Sequence, residues 1–244
     1  METTLDVQLL DNSVLLPDLQ IGQAMDIAKI PAVFNEKRLS AMISHLTDDP
    51  DMAGKLTAQE RYFILLSHQA ISQSQHSDIN DIERYAIPTV QSEVPKQHQV
   101  GSMYVNHLLG AHVVVLEGIC ENVYDWIIGQ MACQLSGDLS SVIGGDSDDL
   151  KWDILTADMS DNEINKAIQK RSEIIDELGA NGNFNILHDA YSIGVDALSH
   201  FLVLGCENKG LTVISQGGDG NEPSRFLTLD SLQGIARIIA ECVA

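Results

Sequence analysis

Apolar residues return at three- and four-residue steps along most of this chain, and no other feature narrows its possible folds as far. Two capping boxes fix the phase of the pattern. In Thr57-Ala58-Gln59-Glu60 and Ser160-Asp161-Asn162-Glu163, the hydroxyl and the carboxylate three residues on satisfy N–H groups that a helix start leaves without partners. Phe63, Leu66 and Ala70 follow the first box; Ile164, Ala167, Ile168, Ile175 and Leu178 follow the second, with Gly179 as a stop. Further helices are predicted from Ile21, Ala24, Met25 and Ala28, closed by Pro31, and from Leu39, Met42, Ile43 and Leu46, ahead of the turn Asp48-Asp49-Pro50-Asp51. Val113, Leu116, Cys120, Val123, Ile127 and Met131 predict one long helix over 110–135. From about Asn183 a face of Leu187, Ala190, Tyr191, Gly194, Leu198, Phe201 and Leu202 mixes small with large residues, as close packing requires.

Strand signals are fewer. Leu5, Val7 and Leu9, then Val14 to Leu16, read as an arm or edge strand; two β-leaning stretches flank Pro95-Lys96-Gln97-His98 between Tyr85 and Val105. Leu211–Ser215 and Arg225–Leu229 read as a strand pair across Gly217-Gly218-Asp219-Gly220, and a last helix is predicted from Asp230 through Ile239. The fold class is therefore α+β, predominantly helical with a few short antiparallel strands. Three regions are expected: 1–80, helical; 81–145, a strand pair and the long helix; 146–244, helical with a short strand pair, the division falling at Gly144-Gly145-Asp146. With 244 residues, 44% of them hydrophobic, the chain can fill a core of its own.

Charge says most about partners. The formal net charge is −21, which disfavours nucleic acid, since phosphate backbones are bound through lysine and arginine. No lysine or arginine occurs between Lys96 and Lys151, whereas Glu117, Glu121, Asp125, Asp138, Asp146, Asp148 and Asp149 all fall there. On a single long helix Glu117, Glu121 and Asp125 would form one acidic face. With Asp146, Asp148 and Asp149 they are the candidate partner-binding residues, suited to proteins with basic surfaces. The start Met1-Glu2-Thr3-Thr4-Leu5-Asp6 lacks the basic and apolar regions of a secretory signal, and charges interrupt the apolar run 108–135, so neither export nor a membrane span is expected.

No catalytic residue, metal site or cofactor is legible. Cys120, Cys133, Cys206 and Cys242 are widely spaced and read as reduced, buried thiols. The eight histidines form no short zinc-type pairs with cysteine. The Asp146–Asp149 loop lacks the closing glutamate of a calcium site, having Lys151 nearby instead. Glu117 and Glu121 lack the Glu-x-x-His spacing of a di-iron bundle, Cys120 and Tyr124 standing at the histidine positions.

Three patches resemble small tail-assembly and baseplate proteins of long-tailed bacteriophages: Leu56-Thr57-Ala58-Gln59-Glu60-Arg61 leading into an apolar helix, Trp126-Ile127-Ile128-Gly129-Gln130-Met131-Ala132, and Ser224-Arg225-Phe226-Leu227. The resemblance implies a non-enzymatic virion structural or assembly protein acting by protein–protein contact within a larger assembly. It would be found in the host cytoplasm during assembly, or in the virion if it is a permanent component. It carries no functional residue onto a position of this chain. A tail assembly chaperone absent from the mature particle, an enzyme whose site gathers residues scattered in sequence, and an acidic nucleic-acid mimic are the alternatives.

Overall fold

The structure, a computed structural model, describes residues 5–73, 81–145, 147–179, 182–216 and 222–232. The chain forms two compact units, the first from Met1–Gln91, His200–Gly205 and Leu211–Ala244, the second from Ser92–Ser199 and Cys206–Gly210. The division expected near Gly145 thus falls inside the second unit. Asp146, the 217–220 loop, Cys242 and the expected terminal helix beyond Leu232 lie outside the described residues.

In the first unit, β1 (Leu5–Gln8) and β2 (Ser13–Leu16) pair as an antiparallel hairpin, Val7 opposite Val14. Alternation puts Val7, Val14 and Leu16 inside and leaves Leu15 out. Helices α1 (Ile21–Ala28), α2 (Asn35–Thr47), α3 (Met52–Lys55), α4 (Ala58–Gln73) and α5 (Asp81–Tyr85) follow. The first capping box forms as its sequence dictates: Glu60 N donates to Thr57 Oγ1 at 3.1 Å and Thr57 N to Glu60 Oε2 at 2.9 Å. Glu60 Oε1 also accepts from Leu10 N, which ties the hairpin to α4. Leu39, Met42 and Ile43 of α2 and Tyr62, Leu65 and Leu66 of α4 are all buried, and the two helices pack against each other.

That core encloses an ion pair. Arg61 Nη2 lies 3.1 Å from Glu36 Oε2, both side chains almost wholly out of water. The guanidinium further donates to Ser40 Oγ and to the carbonyls of Ala53 and Glu36, and Tyr62 Oη donates to Glu36 Oε1 at 2.6 Å. Pairing with a carboxylate and bonds from both Nη atoms are what make a buried charge tolerable, although Arg61 Nε is left without an acceptor among the described residues. Burial, together with the Glu36 carboxylate, pushes the Tyr62 phenol well above its ordinary range.

The expected strand at Arg225–Leu229 does not form; only Pro223–Ser224 is strand, and Thr228–Leu232 is a 3-10 turn. The reason is side-chain hydrogen bonding. Thr228 N donates to Asn35 Oδ1, far away in sequence, and is thereby withheld from a ladder, while Ser231 Oγ donates to Thr228 O, a local bond of the kind that favours a turn.

The second unit opens with β3 (Gln97–Val100) and β4 (Met103–Asn106), a hairpin that turns at Gly101, whose φ is +63°. The strand pair therefore sits C-terminal to Pro95 instead of straddling it. Two further strands, β5 (Leu135–Asp138) and β6 (Lys151–Trp152), complete a four-stranded antiparallel sheet in the order β3-β4-β5-β6. The helices are α6 (Gly110–Ile119), α7 (Val123–Gln134), the short α8 (Ser140–Ile143), α9 (Asp161–Gly179) and α10 (Asn183–Ala197); α7 and α10 pack on the sheet, α9 packs on α6, α7 and α10, and α8 on α10. A third sheet, in the order β7-β8-β9, is formed by β7 (Val203–Glu207), β8 (Gly210–Ile214) and β9 (Pro223–Ser224), most of whose residues belong to the first unit.

Packing in this unit bears out the small-and-large face of α10 from Leu187 to Gly194, but the helix ends at Ala197, so Phe201 and Leu202 of the expected face lie beyond it. A Cβ at Gly194 would stand 2.3 Å from Val105 Cγ2, so only glycine lets α10 lie this close to β4. Tyr191 Oη donates to Gln134 Oε1 at 2.6 Å, and Gln134 and Asn106 exchange bonds through Gln134 Nε2 to Asn106 O and Asn106 Nδ2 to Gln134 O. Arg171 of α9 is turned inward: it donates to the carbonyls of Ala132, Leu135 and Asp153 and lies over the Trp152 ring. It thereby satisfies acceptors that the end of α7 leaves open. The fold is α+β and mostly helical, with small antiparallel sheets.

Candidate functional site

The single long helix expected over 110–135 is two helices and the start of a strand. The α6 helix ends at Ile119, Cys120 and Asn122 are extended, and α7 starts at Val123. A capping box causes the break. Asn122 Oδ1 accepts from Tyr124 N at 2.9 Å and Asp125 N at 3.2 Å; Asp125 Oδ2 accepts from Glu121 N at 2.8 Å and Asn122 N at 3.2 Å. These bonds satisfy the first turn of a new helix better than the old helix could by continuing through Gly118 and Asn122. A further bond from Val123 N to Asn208 Oδ1 holds the junction at 3.0 Å.

The break corrects the acidic stripe. Glu117 lies on α6, Glu121 in the junction and Asp125 in the first turn of α7, so the three do not share one helix face. Glu121 is exposed, Glu117 and Asp125 half-buried. Asp125 is also committed to its cap and sits where the positive end of the helix dipole favours an anion. The second acidic group is largely compensated by cations: Lys151 reaches Asp148 at 2.7 Å and Lys170 reaches Asp149 at 3.1 Å. Lys151 accordingly holds the Asp148 carboxyl below the usual carboxylate range. Asp138 is turned to its own loop, its Oδ1 accepting from Ser140 N and Oγ, and that hydroxyl lowers its pKa.

A cleft of about 210 Å³ opens beside the α6–α7 junction, between α7 and α9. Its floor is apolar, formed by Ile119, Ile128, Gly129 and Ile168. Gly129 admits the close approach of α6: a Cβ there would stand 2.4 Å from Leu116 Cδ2. The polar side of the cleft carries Tyr124, Asp125, Gln169, Ser172 and Asp176. Tyr124 Oη donates to Asp176 Oδ1 at 2.7 Å, a bond that raises the phenol pKa and links α7 to α9 at the opening. Tyr124 as a whole residue remains 51% exposed. The sequence shows no relation between Tyr124 and Asp176; a spacing of 52 residues carries no local signal.

The thiols and imidazoles nearby are poorly suited to nucleophilic or acid–base work. Cys120, also in the cleft wall, is pushed up to about 12 by burial and by the Asp125 carboxylate, so almost none of it is thiolate at neutral pH. Burial raises Cys133 and Cys206 as well. His112 Nδ1 accepts from Leu109 N, so the neutral ring carries its proton on Nε2; burial lowers this histidine to about 4. In the first unit His200 is buried, its Nε2 2.8 Å from Thr57 Oγ1. Among the described residues, no group of three or more His, Cys, Asp or Glu side chains could hold a metal ion, and no helix is long and apolar enough to cross a membrane. No protein-family model matches this chain, no curated protein matches its sequence, and no solved structure matches its fold.

Proposed function

We propose that this protein is a non-enzymatic structural or assembly component of a bacteriophage tail or baseplate, and that it works by binding the basic surface of a neighbouring protein. The observation that carries the reading is the acidic opening beside the α6–α7 junction, where Asp125 and Asp176 stand with an exposed Tyr124 and, among the described residues, no basic side chain lines the cleft. Like charge steers away nucleic acid and other copies of a chain with net charge −21, and it draws in a cationic partner from a distance. The resemblance of the Thr57, Trp126 and Arg225 patches to phage tail proteins supplies the biological setting.

The test is to separate a lysate of the native source on a density gradient and quantify this chain in each fraction by mass spectrometry. Recovery with particles, in fixed ratio to their other proteins, is the expected result for a structural component. Recovery in the soluble pool bound to a tail protein fits the assembly-chaperone form of the reading. Recovery there as an unbound monomer overturns it.

A further inference from the structure

We infer that the cleft between α7 and α9 is a socket for one lysine or arginine side chain projecting from the basic partner, an inference that rests on the partner-binding reading above. Size is the first reason. At about 210 Å³ the space falls short of the roughly 300 Å³ at which sites for cofactors and drug-sized molecules begin. It suits the far half of a long side chain.

The arrangement of its walls decides which side chain. Ile119, Ile128 and Ile168 offer an aliphatic floor, against which a chain of methylenes can be buried while its charged head stays at the opening. At the opening stand the carboxylates of Asp125 and Asp176. Neither meets a cation of this chain in an ion pair among the described residues, since Lys151 and Lys170 serve Asp148 and Asp149 and Arg171 is turned into the core. A glutamate or aspartate of a partner would be repelled, and a leucine would leave both carboxylates to be desolvated without compensation.

Tyr124 adds a third element. Its bond to Asp176 fixes the ring at the opening while half of its surface remains exposed. An aromatic face next to a carboxylate receives an ammonium or guanidinium from two sides, electrostatically and through the ring quadrupole. A bare metal ion does not fit the same walls. Hard cations need six or more oxygen ligands, and among the described residues no group of three or more metal-ligating side chains comes together.

The inference is tested on the full chain with ¹³C-labelled isoleucine δ1 methyls, assigned by Ile→Val substitution. The probes are the capped peptides acetyl-Gly-Lys-Gly-amide and acetyl-Gly-Arg-Gly-amide, the uncharged isostere acetyl-Gly-norleucine-Gly-amide, and n-butylammonium chloride. One isolated side chain should bind with a Kd on the order of 1–10 mM. Saturable shifts of the Ile119, Ile128 and Ile168 methyls are expected with the two cationic peptides, at least about tenfold weaker with norleucine, a loss of about 1.4 kcal/mol. In Asp176→Asn the response to the cationic peptides should fall at least about threefold, and added salt should weaken it in the native protein. Equal response to norleucine, no response to either cationic peptide, or undiminished response in Asp176→Asn overturns the socket. n-Butylammonium, the lysine side chain without its backbone, should shift the same methyls, and its failure to do so while the peptides bind would show that the peptide backbone is what binds and overturn the socket. If the methyls stay silent while the chain still sediments with particles or a tail protein, the socket falls and the partner-binding reading stands.

Discussion

Replacing Arg61 by methionine keeps most of the side chain's volume and removes only its charge and its donors. In the native protein the guanidinium makes bonds of 2.9 Å to Ser40 Oγ, 2.8 Å to Ala53 O and 2.9 Å to Glu36 O, besides the 3.1 Å ion pair with Glu36 Oε2. Arg61 is fully buried and Glu36 nearly so, so water cannot take over these roles. Breaking a buried pair from one side costs about 3–5 kcal/mol, against a total stability of about 5–15 kcal/mol for a domain. Arg61→Met should therefore bring the first unit close to unfolding. The double variant Arg61→Met/Glu36→Gln should lose less than the sum of its single changes by about 1–3 kcal/mol, because the second substitution removes the charge that the first left stranded. Both tryptophans, Trp126 and Trp152, belong to the second unit, so fluorescence alone would miss the effect. Urea unfolding followed by circular dichroism, with hydrogen exchange of peptides from α2 and α4, reads it. A loss below about 1 kcal/mol for Arg61→Met, or strict additivity in the double variant, would refute the reasoning.

Three further outcomes are expected. Gly194→Ala puts a methyl 2.3 Å from Val105 Cγ2; overpacking of about 1–3 kcal/mol should outweigh the helix-propensity gain of about 1 kcal/mol, and a midpoint of urea unfolding at or above that of the native protein contradicts this. His112, held to about 4 by burial against an unfolded value of about 6.5, favours the folded state while neutral. Its contribution is whole above pH about 6.5 and is lost as pH falls toward about 4, to the extent of about 3 kcal/mol. The slope of stability against pH in that window should flatten in His112→Gln, and an unchanged slope would show that His112 is not the group responsible. With Cys120 at about 12, its thiolate fraction at pH 8 is about 10⁻⁴, so iodoacetamide labelling followed by peptide mapping should find it far slower than a free peptide thiol and accelerating tenfold per pH unit. Labelling at the peptide rate would mean the thiol is not desolvated.

Where the chain's local chemistry is decisive, its sequence can be read directly. Thr57 and Glu60, and Ser160 and Glu163, form the boxes their spacing dictates. The glycine on the α10 face marks the close contact with Val105. The long-helix reading failed for an equally local reason. The apolar steps Val113, Leu116, Cys120, Val123, Ile127 and Met131 run in phase through Asn122, but periodicity records which residues can be apolar, not where the backbone bonds stop. The Asn122-x-x-Asp125 cap uses a pair outside the Ser/Thr-x-x-Glu/Gln pattern, and once it is recognised the acidic stripe dissolves with the helix.

The site is less legible because what makes it a site is long-range. Asp125 is visible in sequence as an acid in a stretch without lysine or arginine, yet its bonds show a helix cap. Asp176 stands among the mixed charges of α9 with nothing to single it out, yet the tyrosine bond and the apolar floor set it in a cleft. Net charge names the sign of a partner but not the place of contact, since exposed carboxylates already paired, such as Asp148 and Asp149, are screened by water and contribute little. Binding strength gathers instead where a charge, an aromatic face and apolar area coincide in a recess that water leaves on contact. Of the candidate acids among the described residues, only Asp125 lines such a recess, in company with Asp176. Reversing Asp148 and Asp149 to lysine should therefore slow association with a basic partner and leave its dissociation rate nearly unchanged, whereas Asp176→Asn should act on dissociation. Surface plasmon resonance with the particle-associated partner separates the two rates, and equal effects of both changes on dissociation would place the binding energy in the diffuse field and not in the cleft.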